Sequence, residues 1–220
     1  MNFADVKALL NALDTASICD TNKNMRVIDP AIQPIQPGLK IIGRAHTVRC
    51  HDDFLTVMMA LRDANEGDIL VIDTQNSRRA VVGELFSTEA ARKKLAGIIV
   101  DGACRDVEKI RELPMPVYCR NAYPISGTVN QIFETQIPVE CGGVTINPGD
   151  IIFGDDDGLI VVTAAELASA LPLAKEIQRK ESHILKHMEQ SESLFSMLNF
   201  DEHVDAVQKN RRSSLKFLVE

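Results

Sequence analysis

Apolar residues along this chain change period several times, and each change marks an element. Residues 3–13 carry Leu9, Leu10 and Leu13 on one side of a helical repeat, which predicts a short amphipathic helix. A second short helix is expected from Thr15. Pro30, Pro34 and Pro37 then hold residues 29–38 in extended, non-helical backbone. From there strands and helices alternate. Residues 41–50, 69–73, 97–101 and 117–120 read as strands. Residues 54–64, 83–95 and 106–113 read as helices, the last stopped by Pro114. The run Gly97-Ile98-Ile99-Val100-Asp101 is typical of a strand buried on both faces. Helices of this length between strands imply right-handed crossovers and a largely parallel sheet.

After Gly127 the pattern shortens. Residues 137–141, 144–146, 151–153 and 159–163 are short strands separated by Gly-Gly, Asn-Pro-Gly-Asp and Asp-Asp-Asp-Gly, all of which are turn chemistry. Together they predict a β-meander that closes the domain. One long helix is expected over residues 164–190, broken or kinked near Pro172, with short helices after it. The fold class is α/β. A core domain spans residues 1–163, and a helical extension over 164–220 packs on that core or on a neighbouring subunit.

Composition narrows the function. The chain has 220 residues, 45% hydrophobic and 25% charged, the ordinary balance of a globular protein. A chain this long buries about 70% of its unfolded surface and needs no disulfides. The net charge is −7, and the densest basic run is Lys209–Arg212, so no nucleic-acid partner is expected. Five scattered cysteines, with no Cys-x-x-Cys and no zinc-finger spacing, read as reduced, mostly buried thiols of a cytoplasmic protein. The start, Met1-Asn2-Phe3-Ala4-Asp5, lacks the pattern of a secretory signal. No apolar run reaches the ~18 residues of a membrane span.

Candidate chemistry concentrates at Asp101-Gly102-Ala103-Cys104-Arg105-Asp106, after a buried strand and at a helix start. Ligands of α/β sheets collect at the carboxyl ends of strands. Gly102 permits a sharp turn and close backbone approach. The Arg105 fork matches a carboxylate, and Asp106 offers hard oxygens suited to Mg²⁺. Asp106 could equally cap the helix at Val107, and Arg105 could be a structural ion-pair partner. Upstream, Gly83-Glu84-Leu85-Phe86 opens another helix. Free N–H groups of Leu85 and Phe86 there would suit a substrate carboxylate, with Gly83 clearing the approach and Glu84 facing metal or water. The plainer alternative is a first-turn Glu complementing the helix dipole. Asp155-Asp156-Asp157-Gly158 lacks the full calcium-loop spacing and reads as a turn. His183 and His187 share a helix face without a third ligand, while His46 and His51 sit in or beside a strand without partners. No nucleotide-binding glycine loop and no Gly-x-Ser-x-Gly elbow occurs.

Taken together, several stretches resemble one family. They are Pro37-Gly38 through Gly43-Arg44-Ala45 and Thr47-Val48, then Gly67 to Asp73, Gly83-Glu84-Leu85, Gly97 through Arg105-Asp106, and Pro148-Gly149-Asp150 through Asp157-Gly158. Over roughly residues 15–198 the order is similar to the RraA-like family. That family is named for the regulator of ribonuclease E activity and includes class II 4-hydroxy-4-methyl-2-oxoglutarate aldolases. Its central signature is an acidic residue followed, after twenty others, by Arg-Asp; Glu84 and Arg105-Asp106 fit it.

The resemblance implies a swivelling β/β/α fold with a long C-terminal helix. It also implies a homotrimer or hexamer with sites between protomers, and a divalent metal, usually Mg²⁺ (Mn²⁺ or Co²⁺ also serve). The implied reaction is retro-aldol cleavage of a small 2-oxo acid to pyruvate, with oxaloacetate decarboxylation alongside. Arg105 would bind the oxo acid and stabilise an enolate. Asp106 would hold the metal through water, and Glu84 would position water. The backbone of Leu85 and Phe86 would hold the carboxylate, and Glu181 would arrive from a neighbouring subunit. Arg120, Asn121 and tail residues of another subunit would shape the pocket walls. Two departures stand out: Lys109 replaces an acidic residue, and the tail after Asn199 runs long. The competing implication is a non-catalytic regulator that binds a ribonuclease. In that branch the position of Asp106 is not Asp.

Overall fold

The computed structural model describes residues 3–218. Met1, Asn2, Val219 and Glu220 lie outside the described residues. The chain begins with α1 (Phe3–Asn11), α2 (Thr15–Thr21), β1 (Arg26–Val27) and β2 (Gln33–Pro34). The alternating part is β3 (Ile41–Arg49), α3 (Leu55–Asp63), β4 (Asp68–Asp73), β5 (Ala80–Val82), α4 (Glu84–Arg92), β6 (Gly97–Cys104), α5 (Val107–Ile110) and β7 (Val117–Ala122). Four short strands follow, β8 (Val139–Cys141), β9 (Val144–Ile146), β10 (Ile151–Asp155) and β11 (Gly158–Val162). The chain then enters α6 (Ala164–Glu189), a 3-10 turn at Leu194–Met197 and α7 (Phe200–Gln208).

One sheet runs in the order β1-β11-β10-β3-β4-β6-β7-β2, with β5 paired to β6. Its centre, β3-β4-β6-β7, is parallel, and β10, β11, β1 and β2 join antiparallel. Side chains alternate between two faces, as strand geometry requires. Leu70, Ile72, Ile98 and Val100 face α3 and α4, whose Val57, Ala60, Leu61 and Ala90 complete that core. Ile69, Val71, Ile99 and Tyr118 face the separate hairpin β8–β9, through Val139, Cys141 and Ile146. A third cluster places Ile18 of α2 and Leu167, Leu171 and Ala174 of α6 against Ile151, Phe153 and Val162. Hairpin, sheet and helices are thus stacked in the β/β/α arrangement expected.

Four details depart from the reading of the sequence. The meander splits: β8–β9 forms its own sheet over the face of the main one, and only β10–β11 extends the main sheet. The helix over 164–189 is not broken at Pro172. Pro172 and Ala168, whose carbonyl loses its N–H partner, are both exposed, so water can replace the missing bond. The helix expected over 106–113 shrinks to Val107–Ile110: Asp106 is left-handed at φ 56°, and residues 111–113 continue as turns, with Glu112 and Leu113 N–H groups bonded to the Lys109 and Ile110 carbonyls. The helix expected over 83–95 stops at Arg92 as Lys94 turns to φ 58°. Lys93 then reaches across to the carbonyls of Leu61, Arg62 and Ala64 at the end of α3.

Candidate active site

Strand β6 carries the site. The sequence suggested a turn at Gly102, but the strand continues to Cys104 because β5 and β7 pair with its last residues. Gly102 serves close approach instead. A Cβ there would lie 2.5 Å from Thr74 Oγ1, whose hydroxyl donates to the Asp101 carbonyl at 2.6 Å. Arg105 leaves the sheet with its N–H bonded to the Val82 carbonyl of β5 at 3.0 Å. That bond sets the Arg105–Asp106 pair beside the start of α4.

The two predicted segments meet there. The Glu84 N–H donates to Asp106 Oδ2 at 3.2 Å, and Arg105 Nε lies 3.5 Å from the same oxygen. Asp106 makes no side-chain bond to its own helix α5; its Oδ2 instead meets the first N–H of α4, and Oδ1 is left over. Both side chains remain partly open, each 42% exposed. They line a cleft of about 270 Å³ with Gly83, Leu85, Phe86, Phe54, Met58 and residues 80–82. Phe54 and Phe86 pack edge to face at 5.5 Å and form its apolar wall. The first-turn N–H groups of Leu85 and Phe86 have no acceptor within the helix and border the same cleft. One end of the cleft therefore offers backbone donors, a guanidinium and a carboxylate, and the rest is apolar.

Glu84 contributes its backbone. Its side chain is exposed and is not among the residues lining the cleft. Glu181 is exposed on α6, a helix packed on the β10–β11 side, with β3 and β4 between it and β6. Within one protomer it is not brought to the cleft. Arg120, expected in a pocket wall, is instead tied to Asp101 and to Asp29 at 2.9 Å. Its pKa is pushed upward, chiefly by the hydrogen bond to Asp101. The same Asp101 accepts the Gly142 N–H at 2.6 Å, so this network pins the β8–β9 turn to the sheet. Neither Arg120 nor Asn121 lines the cleft; Ala122 and Tyr123, with Pro124, border Arg105 and Asp106 on the other side.

Other sequence features resolve into structure. Asp155 accepts from the Thr15 N–H and hydroxyl at 2.8 and 2.7 Å, and Asp156 accepts from the Gly38 N–H at 2.8 Å. The acidic loop is thus a clamp on α2 and the extended segment. His46 has partners after all: Gln136 Nε2 at 3.2 Å and Asp68 at 3.8 Å. Burial pushes its pKa down despite Asp68. The alternating pattern could not reveal β5, which is three residues long, nor that Phe54, at the N-cap of α3, and Met58 within it form part of the cleft wall. Among the described residues no group of three or more His, Cys, Asp or Glu side chains is arranged to hold a metal ion. None of their helices is long and apolar enough to cross a membrane.

Residues 15–161 match the family model described as RraA-like, Aldolase/RraA. A protein of Halalkalibacterium halodurans named "Putative 4-hydroxy-4-methyl-2-oxoglutarate aldolase" is 33% identical over 168 residues, covering 76% of this chain and 80% of its own. The structure of the RNA-processing inhibitor RraA from Thermus thermophilis superposes with a TM-score of 0.63 at 28% identity, covering 67% of this chain and 91% of that one. Streptomyces coelicolor RraAS2, described as an unusual member of the RNase ES inhibitor RraA family, gives a TM-score of 0.71 at 27% identity, covering 80% and 93%. Fold, matched span and relatives agree, and the chain belongs to the RraA-like (Aldolase/RraA) family.

Proposed function

We propose that this protein is a divalent-metal-dependent class II aldolase that cleaves 4-hydroxy-2-oxo acids to pyruvate and also decarboxylates oxaloacetate. The observation that carries the reading is the convergence of Arg105, Asp106 and the α4 N-terminus on one cleft. A relative named "Putative 4-hydroxy-4-methyl-2-oxoglutarate aldolase", 33% identical, supports it.

The donor set fits Mg²⁺ as that ion is commonly held, by one or two carboxylates with water completing the shell. Asp106 would hold it, with Oδ1 left over once Oδ2 has accepted the Glu84 N–H. Glu84 would position water nearby. When bound, the ion supplies Lewis-acid stabilisation of negative charge on the 2-oxo group. The protein's own groups do the rest. The N–H groups of Leu85 and Phe86 bind the substrate carboxylate at the positive end of α4. The Arg105 guanidinium faces the 2-oxo oxygen and stabilises the charge that develops there as the carbon–carbon bond breaks. Phe54, Met58 and Phe86 exclude water from that side, which strengthens each electrostatic contact. No lysine Schiff base is required.

A second reading is a ribonuclease-binding regulator, favoured by the likeness to two RraA structures. Asp106 stays partly open at the cleft, and the family resemblance gives the regulator branch a different residue at this position, which favours catalysis. The test is release of pyruvate from 4-hydroxy-4-methyl-2-oxoglutarate with Mg²⁺, compared for the wild type, Arg105→Ala and Asp106→Asn. The aldolase reading requires turnover that both substitutions abolish. Equal rates in all three would refute it.

A further inference from the structure

Beside the cleft lies a second cavity, of about 330 Å³, bordered by His51, Asp52, residues 76–79, Tyr123 and Ile125. Tyr123 also borders the opening on the far side of Arg105 and Asp106, and Arg79 directly precedes Ala80 of the cleft wall. Resting on the aldolase reading, we propose that this corner holds the anionic far end of an extended dicarboxylic substrate. Arg78 and Arg79 are its charge partners.

The corner is built rather than incidental. Ser77 donates to Asp52 at 2.5 Å and receives the Arg79 N–H at 3.0 Å. Arg79 donates to the Ser126 carbonyl at 3.2 Å and lies 3.8 Å from Asp52, which fixes its side chain along the cavity. Asp52 balances one guanidinium only. Arg78 is exposed and makes no hydrogen bond or ion pair among the described residues. A net positive charge is therefore left in a chain whose total is −7. Three non-glycine residues here have left-handed backbone, Asp52 at φ 52°, Gln75 at 50° and Asn76 at 62°. Such strain persists where surrounding contacts impose it, and it gathers at functional sites.

The spacing selects among substrates. From Arg79 to Gly83 the chain passes through β5, four residues at about 3.3 Å each, or about 13 Å. Arg79 borders the second cavity at one end of that span, and Arg105 borders the cleft beside its other end. A carboxylate borne directly on C4 stays beside the reacting carbons, whereas one carried two carbons further extends toward Arg78 and Arg79. The reaction itself balances without a co-reactant. The C3–C4 bond breaks and its electron pair becomes the enolate of pyruvate. The C4 hydroxyl loses its proton to leave an aldehyde, and C3 takes up a proton. With 4-hydroxy-2-oxoheptanedioate the aldehyde product carries the distal carboxylate; with 4-hydroxy-2-oxoheptanoate it is butanal.

The experiment measures kcat/KM for this matched pair with Mg²⁺, in the wild type, Arg78→Gln, Arg79→Gln and Arg79→Lys. We expect the wild type to prefer the dicarboxylate roughly tenfold, about the worth of one charge-assisted hydrogen bond. The preference should fall toward one in both Gln variants through a rise in KM, and be partly kept in Arg79→Lys. Circular dichroism checks that each variant is folded. Pyruvate from both substrates at equal efficiency, or an unchanged preference in the Gln variants, overturns the subsite and leaves the aldolase standing. No pyruvate from either substrate overturns the aldolase, and the subsite with it.

Discussion

Gly83 and Asp106 touch so closely that a Cβ on the glycine would lie 2.6 Å from the Asp106 carboxylate and 3.0 Å from Arg105 Cγ. Gly83 has extended backbone that any residue can adopt, so the need for glycine is one of space. Gly83→Ala must push the carboxylate out of place. Misplacement of about 1 Å can cost a hundredfold in rate. We expect pyruvate release to fall by that order while thermal stability changes little, since alanine in place of a glycine N-cap costs only about 1 kcal/mol. Wild-type activity in Gly83→Ala would mean that the Asp106 carboxylate has no fixed role.

Asp106 sits at φ 56° and ψ 34°, a conformation that Asn and Asp adopt more readily than other side chains. Backbone and charge can therefore be separated there. Asp106→Asn should leave stability within about 0.5 kcal/mol, as for substitutions without packing loss. It should still remove Mg²⁺-dependent turnover. Asp106→Val should lose both, with a stability cost of about 1–3 kcal/mol from the strained backbone. Thermal melts and metal-titrated activity on the three proteins distinguish these outcomes.

Asp53 is a buried carboxylate that closes the chain after β7 onto the start of α3. Burial alone would raise its pKa. The Thr128 hydroxyl and the N–H groups of Leu55, Asn130 and Gln131 outweigh that and hold it below the usual carboxylate range. A carboxyl whose folded pKa is depressed binds protons more readily in the unfolded chain. Its contribution is present above about pH 4, the unfolded value, and disappears as pH falls through the folded one. Denaturant melts from pH 6 to pH 3 should show this acid loss, and Asp53→Asn should flatten it. At pH 7 the same substitution should cost about 2 kcal/mol, the scale of hydrogen bonds to a charged group.

Gly102 and Thr74 offer a double-mutant test of how β6 is seated. Gly102→Ala drives a methyl into the Thr74 side chain and should destabilise by about 1–3 kcal/mol, as overpacking does. Adding Thr74→Ala should recover part of that loss, giving a non-additive cycle. Strict additivity would show that the two positions are not in contact.

Much of this was legible before any coordinates. The helical and two-residue periods marked the elements of the alternating core, and the Arg-Asp pair after a buried strand pointed to the cleft that it lines. The missing parts share a physical cause: they depend on contacts remote in sequence. β5 is too short to show a period, and it exists because the last residues of β6, past the end of β4, are left to pair with it. Gly102 looks like a turn until Thr74 is seen against it. Arg120 looks free until Asp29 and Asp101 are found around it. That β8–β9 lies across the sheet rather than beside it follows from the apolar face made by Ile69, Val71 and Ile99, which no local pattern near Val139 encodes.

The most direct test follows pyruvate from oxaloacetate through lactate dehydrogenase and NADH, against a protein-free blank with the same metal. The account predicts Mg²⁺-dependent turnover well above the blank, abolished by EDTA, restored by added Mg²⁺, and reduced to the blank in Arg105→Ala. Rates equal to the blank with Mg²⁺, Mn²⁺ and Co²⁺ alike, or full turnover in Arg105→Ala, would contradict it.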